Sequence, residues 1–354
     1  MSPKRKRFPL IPLVVAMTVI LAVSMITSVI FGPVHITAGE AISTVVKHIF
    51  GVAPRDLSGV AAGGNDDIIW NIRFPRALMS VIIGAGLALS GVAMQAIVRN
   101  PLANPYILGI SSGASLGATM GILLGSFSFF GQYGVAFGSF MGAVLTSFFV
   151  FAIAFSGTGG GNTIKLLLAG MAISAMCAAF TNFIIYMAKD AEGIRSVTFW
   201  TMGSLTSASW SLLIVPTVTV AVILVFFLTQ YRTLNLLLIG EESATALGVN
   251  VVRRRKIYLV ASALVTGAVV SAAGTIGFVG LIIPHVVRMM VGADHKRVLP
   301  LSVLGGAIFL VWCDVVSRIV MPASELPIGI VTGMIGGPFF IYLMLTKSYG
   351  FGSE

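Results

Sequence analysis

The sequence is poor in charge and in the side chains that most catalytic and metal sites need. Only 10% of its 354 residues are Asp, Glu, Lys or Arg, whereas a soluble domain carries roughly a quarter. This shortage excludes an ordinary soluble domain. The two cysteines, Cys177 and Cys313, lie within apolar runs and are interpreted as small core residues with no role in a disulfide.

Motifs for catalysis and metal binding are also missing. The four histidines are scattered, no His-Glu-x-x-His pattern occurs, and no Gly-Lys dipeptide is present to form a nucleotide-binding loop. Asp314 is the one clear candidate for a buried acid, which is too little for a proton relay. We therefore predict no catalytic residue, no metal site and no cofactor in this chain. If it is a transporter, a partner must supply the energy.

Hydrophobic residues dominate instead, at 57% of the chain, and the mean hydropathy is +1.00. Several apolar runs reach about 20 residues, the length of helix that crosses a bilayer. The run that follows the basic residues 4–7 is too long for a signal-peptide core, and it is interpreted as a first span that starts inside. The chain is therefore expected to be an all-α polytopic membrane protein.

The apolar runs predict about ten transmembrane helices. They lie near Pro9–Phe31, Ala77–Ile97, Tyr106–Leu124, Val135–Phe155, Leu166–Met187, Leu212–Leu228, Ile257–Ile276, Gly277–Val291, Leu299–Val320 and Leu326–Leu345. The eighth run is short and contains Pro284, which favours a broken or partial helix.

The cations indicate how these spans are oriented. Placing both termini inside puts roughly two thirds of the 22 Lys and Arg residues on the cytoplasmic side, as expected of membrane proteins. This distribution accounts for the net charge of +10 without nucleic acid as a partner, and lipid is the expected environment. The predicted parts are a basic cytoplasmic N-terminus (1–8), one transmembrane domain (9–346) with an outer loop (35–71) and a cytoplasmic loop (232–256), and a cytoplasmic tail (347–354).

A polar segment at residues 239–256 interrupts the apolar runs and carries the signals of a short helix on the inner face. Glu241 and Glu242 fit a first turn, where the helix dipole favours anions. Gly248 fits a left-handed cap, and Asn250 fits the N-cap of the next helix. A helix of about seven residues is unstable alone in water, so it should dock on something. Either a soluble partner pushes on it, or it is an ordinary connecting loop.

Charged residues also occur near the outer ends of two spans. Arg73 and Arg76 precede the second span, where the helix dipole disfavours cations. This position indicates either an anionic partner or snorkelling to the membrane interface. Asp314 and Arg318 are four residues apart in the ninth span and are expected to pair along the helix, which lowers the cost of placing them in the membrane.

Polar residues near the inner ends of the spans suggest a pathway or a gate. Residues 95–105 hold a helix-end glutamine and two Asn-Pro pairs, for which turn chemistry is the alternative interpretation. The glycine-rich segment 156–163 is either a mobile gate or a plain linker. The candidate pathway and gate residues are Gln95, Asn100, Asn104, Ser156, Thr158 and Gly160.

Glycines recur every four residues along the third span, from Gly109 to Gly125. Residues at this spacing form one ridge on a helix. A ridge without side chains lets a neighbouring backbone approach closely. We therefore expect this ridge to be a packing surface.

Five segments of distinctive sequence spread over most of the chain from residue 73 onwards. They are 73–76 (RFPR), 91–114 (GVAMQAIVRNPLANPYILGISSGA), 240–248 (GEESATALG), 277–288 (GFVGLIIPHVVR) and 325–329 (ELPIG). Together they resemble a known family, the FecCD type of permeases in bacterial ATP-binding-cassette importers for iron siderophores, haem and cobalamin.

The resemblance implies a cobalamin-permease-like fold, that of a type II importer, with ten helices per subunit in the bacterial cytoplasmic (inner) membrane. It implies a second permease subunit in a homo- or heterodimer, two cytoplasmic ATPase subunits that hold ATP and magnesium, and an extracytoplasmic substrate-binding protein. The implied cargo is an iron chelate of the siderophore type, with haem or cobalamin as the alternatives.

The resemblance also implies roles for particular residues. One of the two adjacent acids, together with the small residues after it, is similar to the motif that couples such permeases to the ATPase; these are Glu241, Glu242, Ala244 and Gly248. Three arginines are similar to positions that face acidic residues of the binding protein; these are Arg73, Arg76 and Arg318. The glycine-rich segment after the fourth span resembles the inner gate region.

Two other classes of protein compete with this interpretation. A proton-coupled secondary transporter would need an ion site in the middle of the membrane. An intramembrane enzyme would need paired carboxylates or metal ligands, and neither is evident in the sequence. Uptake driven by a proton gradient without ATP would favour the secondary transporter.

Overall fold

A computed structural model describes residues 9–51, 65–156, 163–321 and 324–346. Within these ranges the chain is helical and contains no β-strand. The predicted terminal parts, 1–8 and 347–354, lie outside the described residues, as do Thr158, Gly160 and the tip of the outer loop.

The first half of the chain begins with one long helix and a short outer one, followed by four spans. Its helices are α1 (Leu10–Ile30), α2 (Ala38–Phe50), α3 (Phe74–Val98), α4 (Ile110–Leu124), α5 (Gly134–Ala154), α6 (Thr163–Met187) and α7 (Ala191–Thr201). A π-helical turn, Ile68–Arg73, leads directly into α3, and short 3-10 turns precede α4 and α5.

The second half contains five membrane-length or shorter apolar helices and two small helices between them. Its helices are α8 (Trp210–Thr229), α9 (Tyr231–Ile239), α10 (Glu241–Ala246), α11 (Val251–Ala273), α12 (Val279–Val291), α13 (His295–Ile319) and α14 (Ile328–Thr346). The small helices α9 and α10 occupy the predicted cytoplasmic loop.

The predicted spans are confirmed by the helices. Within the described part of the chain, eight helical segments are long and apolar enough to cross a membrane, and two further apolar helices, α4 and α12, are shorter. Each of the ten predicted runs overlaps one of these ten segments. The eighth run is indeed short, with 13 helical residues and Pro284 inside the helix.

Two spans begin earlier than their apolar runs because polar residues cap them. Asn250 accepts a hydrogen bond from the Arg253 amide at 2.9 Å, so α11 starts at Val251. Asp294 accepts one from the Lys296 amide at 3.0 Å, so α13 starts at His295. Hydropathy alone misses such a first turn because its side chains are charged.

Helix α3 is the centre of the bundle. Within the apolar stretch of Ile68–Val98, 83% of the residues are buried, compared with 17% in the apolar stretch of α1. Glycines allow its backbone to touch two neighbours: a Cβ on Gly84 would overlap the Gly306 carbonyl of α13, and one on Gly91 would overlap the Gly280 carbonyl of α12. In a membrane such close packing replaces the hydrophobic drive that assembles soluble cores.

The predicted glycine ridge of α4 packs closely on α5. Added Cβ atoms on Gly113 and Gly117 would overlap the backbone of Gly142 and Gly138. The end members of the ridge have a different role, because Gly109 (φ 73°) and Gly125 (φ 62°) adopt left-handed conformations at the two ends of the helix. The packing interpretation therefore holds for the middle of the ridge.

We predict that Gly91→Ala lowers the free energy of unfolding by about 1–3 kcal/mol, because the added methyl group forces α3 and α12 apart. Gly333→Ala is the matched control, since a Cβ at this helical position in α14 has no neighbouring atom within 4 Å. Thermal unfolding in detergent measures both. Equal shifts of the unfolding midpoint in the two variants would contradict the prediction.

Candidate functional site

The polar segment between α8 and α11 forms two short helices that meet at a glycine. Gly240 has φ 130° and ψ 158°, which ends α9 and turns the chain into the six-residue helix α10. Gly248 has φ 82° and follows α10. The short helix and the left-handed glycine were both predicted, as was the capping role of Asn250 at the start of α11.

Two contacts hold α10 on the membrane bundle. Ala244, a residue of α10, is fully buried against the bundle. Glu241 forms an ion pair with Arg99, at the end of α3, at 3.4 Å, and a second with Arg255 of α11. The pair with Arg99, in which both side chains are about half exposed, contributes little on its own, about 0–1 kcal/mol. Together with Ala244 the two ion pairs fix which face of α10 points away from the bundle.

The outward face of α10 is acidic, and exposed apolar residues flank the helix on either side. Glu242 is exposed, and Leu247 and Ile239 are 65% and 66% exposed. The two adjacent acids therefore have opposite environments, with Glu241 paired within the chain and Glu242 available to a partner. A Cβ on Gly248 would meet nothing within 4 Å, so its left-handed backbone is what favours glycine there.

The three arginines of the outer end, in the predicted orientation, are used within the chain. Arg73 donates to the carbonyl oxygens of Val29 at 2.8 Å, Ile30 at 2.9 Å and Val34 at 2.6 Å. Arg318 donates to Phe31 O at 2.8 Å and to Ser28 O at 3.0 Å. These carbonyls belong to the last turn of α1 and the residues after it, so the two guanidinium groups cap its C-terminus.

Asp314 lies at the centre of a buried charge cluster. Its side chain is fully buried and forms ion pairs with Arg76 Nε at 2.8 Å and with Arg318 Nη2 at 3.0 Å. Arg76 Nη1 also donates to Glu325 Oε2 at 2.7 Å. The predicted pairing of Asp314 with Arg318 along α13 is present. Such a buried cluster is costly to break, because removing one partner leaves an unpaired charge.

These contacts bear on the predicted docking role of the arginines. Arg73, Arg76 and Arg318 are only 5%, 8% and 8% exposed. Their hydrogen bonds join α1, α3, α13 and the segment before α14. Docking to a binding protein stays a prediction for these residues, whereas the structure gives them an architectural role within the chain.

Gln95, predicted as a pathway residue, ties α3 to α12. Its Oε1 accepts from Arg288 Nη1 at 2.6 Å and also from Nη2, and its Nε2 donates to the carbonyls of Gly280 and Leu281 at 3.4 and 3.2 Å. The side chain is 2% exposed. Its contacts are thus those of a helix-joining residue. Sequence reasoning missed Arg288 as its partner, although an arginine inside a predicted span was a usable signal.

The other predicted gate residues make local contacts. Asn100 Oδ1 accepts from the Leu102 amide at 2.8 Å, and Asn104 Oδ1 accepts from the Tyr106 amide at 3.1 Å. Ser156 donates to the Ile153 carbonyl at 2.8 Å. The turn chemistry considered for the two asparagines is therefore present. A gating role remains a prediction for these residues, and Thr158 and Gly160 lie outside the described residues.

A cavity of about 530 Å³ opens between α4, α6 and the segment that joins α11 to α12. Its polar lining consists of hydroxyl and amide groups: Tyr106, Ser111, Ser112, Ser115, Thr181, Asn182, Thr201 and Thr275. It contains no ionisable acid, lysine, arginine or histidine among its described lining residues. Sequence reasoning missed this cavity, although three serines close together at the start of the third span were a signal.

Two lining groups show how the wall is held. Tyr106 donates to the Ile276 carbonyl at 2.8 Å and accepts from the Ile276 amide at 3.2 Å, so it fixes the segment before α12. Thr275 donates to the Thr201 carbonyl at 2.5 Å. Among the residues that the structure describes, no three His, Cys, Asp or Glu side chains form a possible metal site. The described wall is therefore free of charged side chains and rich in hydrogen-bonding groups.

Comparisons with known proteins agree with this architecture. The hemin transport system permease protein HmuU of Yersinia pestis is 43% identical over 79% of this chain and 84% of its own. The cobalamin import system permease protein BtuC of Halobacterium salinarum is 43% identical over 78% and 73%. A solved structure described as a metal-chelate type ABC transporter in an inward-facing conformation is 32% identical, with a TM-score of 0.77 over 95% of this chain and 99% of that one.

A second solved structure supports the fold alone. PsaBC from Streptococcus pneumoniae is 19% identical, with a TM-score of 0.55 over 76% of this chain and 90% of that one. The model of the FecCD transport family matches residues 20–346, nearly the whole helical bundle. The chain therefore belongs to the FecCD transport family, and it is a permease of an ABC importer.

Proposed function

We propose that this permease passes a metal chelate through the cytoplasmic membrane and is moved by ATPase subunits that bind the exposed face of α10. The observation that carries the proposal is the orientation of α10, with Ala244 and Glu241 against the bundle and Glu242 facing outward. A helix so short needs a support beneath it and a partner above it. Two such subunits, a second permease and an extracytoplasmic binding protein complete the proposed importer.

The chemistry of the chain favours this importer over a secondary transporter. A proton-coupled carrier needs an acid that can take up and release a proton near the middle of the membrane. Asp314, a fully buried acid, forms ion pairs with two arginines at 2.8 and 3.0 Å, so its carboxylate oxygens are already engaged within the chain. It is therefore poorly suited to a proton relay.

For the cargo, we propose a metal–tetrapyrrole of the hemin or cobalamin class, with a ferric siderophore as the alternative. The support comes from the relatives named for hemin and cobalamin, each 43% identical. The neutral hydroxyl lining of the cavity fits a bulky chelate that must be held weakly and released. Charged ligands in the wall would bind a metal complex too tightly for passage.

We predict that Glu242→Ala weakens binding of the ATPase subunit by about five- to tenfold, since it removes an exposed charge from the proposed interface. Pull-down of the ATPase with purified permease measures this. Glu192→Ala, an exposed acid in the first turn of α7, is the matched control and should leave binding unchanged. Unaltered pull-down by the Glu242 variant would remove α10 from the proposed interface.

We predict ATP-dependent uptake of hemin or cobalamin by the permease reconstituted in vesicles with its ATPase and binding protein. Because no proton site is proposed, a proton gradient without ATP should drive no uptake. The measurement compares hemin, cyanocobalamin and a ferric siderophore in parallel. Uptake of the siderophore alone would overturn the tetrapyrrole proposal, and gradient-driven uptake without ATP would overturn the importer mechanism.

We predict that Arg76→Gln destabilises the permease by about 3 kcal/mol or more, because it removes one of the two arginines that pair with the buried carboxylate of Asp314. Combining it with Asp314→Asn should recover part of the loss. Thermal unfolding in detergent measures both variants. A single variant as stable as the parent would contradict the role of the cluster.

The double variant then separates architecture from docking. If it folds but no longer captures the loaded binding protein, Arg76 contributes to docking in addition to its internal contacts. If capture is unchanged, Arg76 has no place in the proposed docking surface. The comparison works because the double variant removes the opposite charges of Arg76 and Asp314 together.

A further inference from the structure

Asn235 in α9 is hydrogen-bonded to the turn between α12 and α13. Its Nδ2 donates to Asp294 Oδ1 at 2.8 Å. Its Oδ1 accepts from the backbone amide of His295 at 2.9 Å and lies 2.7 Å from His295 Nδ1. One side chain of the cytoplasmic loop thus contacts two consecutive residues at the start of α13.

The geometry defines the state of each group. Because Asn235 Oδ1 can only accept, His295 must carry its proton on Nδ1. Asp294 also accepts from the Lys296 amide at 3.0 Å, which makes it the N-cap of α13. Burial alone would raise the pKa of Asp294, but the hydrogen bonds from Asn235 and Lys296 and the nearby charges lower it below its ordinary value, so the carboxylate is ionised at neutral pH.

Helix α12 connects this turn to the cavity. It has 13 residues, a length of about 20 Å, and the chain just before it contributes Gly277 to the cavity wall. Arg288 and Gly280 of α12 are bound to Gln95 of α3, and Gly280 also contacts Gly91. A displacement of the α12–α13 turn would therefore shift α12 as a unit and change the cavity at its other end.

We propose that Asn235 is the positioning residue that transmits movement of α9 and α10 to the α12–α13 turn and so to the cavity. The inference rests on the proposed function, in which the ATPase moves α10. Asn235 does not touch the cargo and lies outside the exposed face of α10. It acts through Asp294 and His295.

Asn235 suits this role better than Glu241, the residue whose ion pairs attach α10 to the bundle. Glu241 is about half exposed, and its ion pair with the equally exposed Arg99 is weakened by solvent and salt. His295 is fully buried, and the amide of Asn235 uses its oxygen and its nitrogen in fixed hydrogen bonds. The hydrogen bonds to His295 are part-buried and the one to Asp294 is exposed, so it is their direction, set by both polar atoms of one amide, that suits Asn235 to transmit a displacement.

The experiment uses the full complex of permease, ATPase and binding protein in proteoliposomes. A cysteine introduced at the cavity wall by Ser112→Cys reports its accessibility to a thiol reagent, with and without ATP. The native cysteines are buried and the parent chain gives their background. Transport per ATP hydrolysed is a second readout when a cargo is carried.

Asn235→Ala should reduce the ATP-dependent change in Ser112→Cys labelling by roughly fivefold or more, the size expected for loss of a coupling contact. ATPase pull-down should persist, since Glu242 and Leu247 are unaltered. Asn235→Asp should give the same loss, because it places two carboxylates together. Combining Asn235→Asp with Asp294→Asn should restore the labelling change, since the exchange rebuilds the hydrogen bonds. Asn71→Ala, at the outer end, is the matched control.

The outcomes separate the inference from the proposed function. A normal ATP-dependent labelling change in Asn235→Ala would overturn the inference. Loss of labelling change without rescue by the exchanged pair would overturn it too, by assigning Asn235 a general structural role. Failure of the parent complex to carry any tested chelate, with ATP-dependent labelling intact, would overturn only the proposed cargo.

Discussion

Close backbone contact between α3 and its neighbours is the constraint on which the rest of this molecule depends. Apolar side chains gain little by leaving lipid, so helices in a membrane associate through dense packing and polar contacts. Gly84 and Gly91 let the backbone of α3 touch α13 and α12. Once α3 is held there, its two ends bring Arg76 to the outer charge cluster and Gln95 to Arg288. The Arg76–Asp314 and Gln95–Arg288 contacts therefore both depend on the glycine contacts, which lie between them along α3.

The buried charges of this chain bind groups within the chain and so join its helices. An ion in a membrane protein must find a counter-charge or a set of backbone acceptors. Arg73 and Arg318 find free carbonyls at the end of α1, and Asp314 finds two arginines. Because these buried charges have partners within the chain, a protein with few charged residues can bury several of them. This pairing also leaves Glu242 as a conspicuous unpaired acid among the described residues of the cytoplasmic loop.

The features that could be predicted from the sequence are those that depend on neighbouring residues along the chain. Hydropathy located the spans, and local capping rules located α10, Gly248 and Asn250. What could not be predicted depends on contacts between distant segments. Arg76 and Asp314 are 238 residues apart, so the arginine appeared free to meet an external anion. Gln95 was assigned to a pathway for the same reason, since its partner Arg288 lies 193 residues away. The choice between Glu241 and Glu242 likewise required the position of Arg255.

The loop between α8 and α11 has to meet two opposed demands. A helix of six residues has no stiffness of its own, because helix formation is cooperative and short helices fray. Force applied to its outer face would only unwind it unless the inner face were tied to the bundle. The contacts differ in kind: Glu241 holds α10 against α3 and α11 through ion pairs, whereas Asn235 joins α9 to the start of α13 through the directional hydrogen bonds of its amide. A permease moved by separate ATPase subunits, as proposed above, needs both contacts. Glu241 keeps the exposed face of α10 in place, and Asn235 connects movement of the loop to α13.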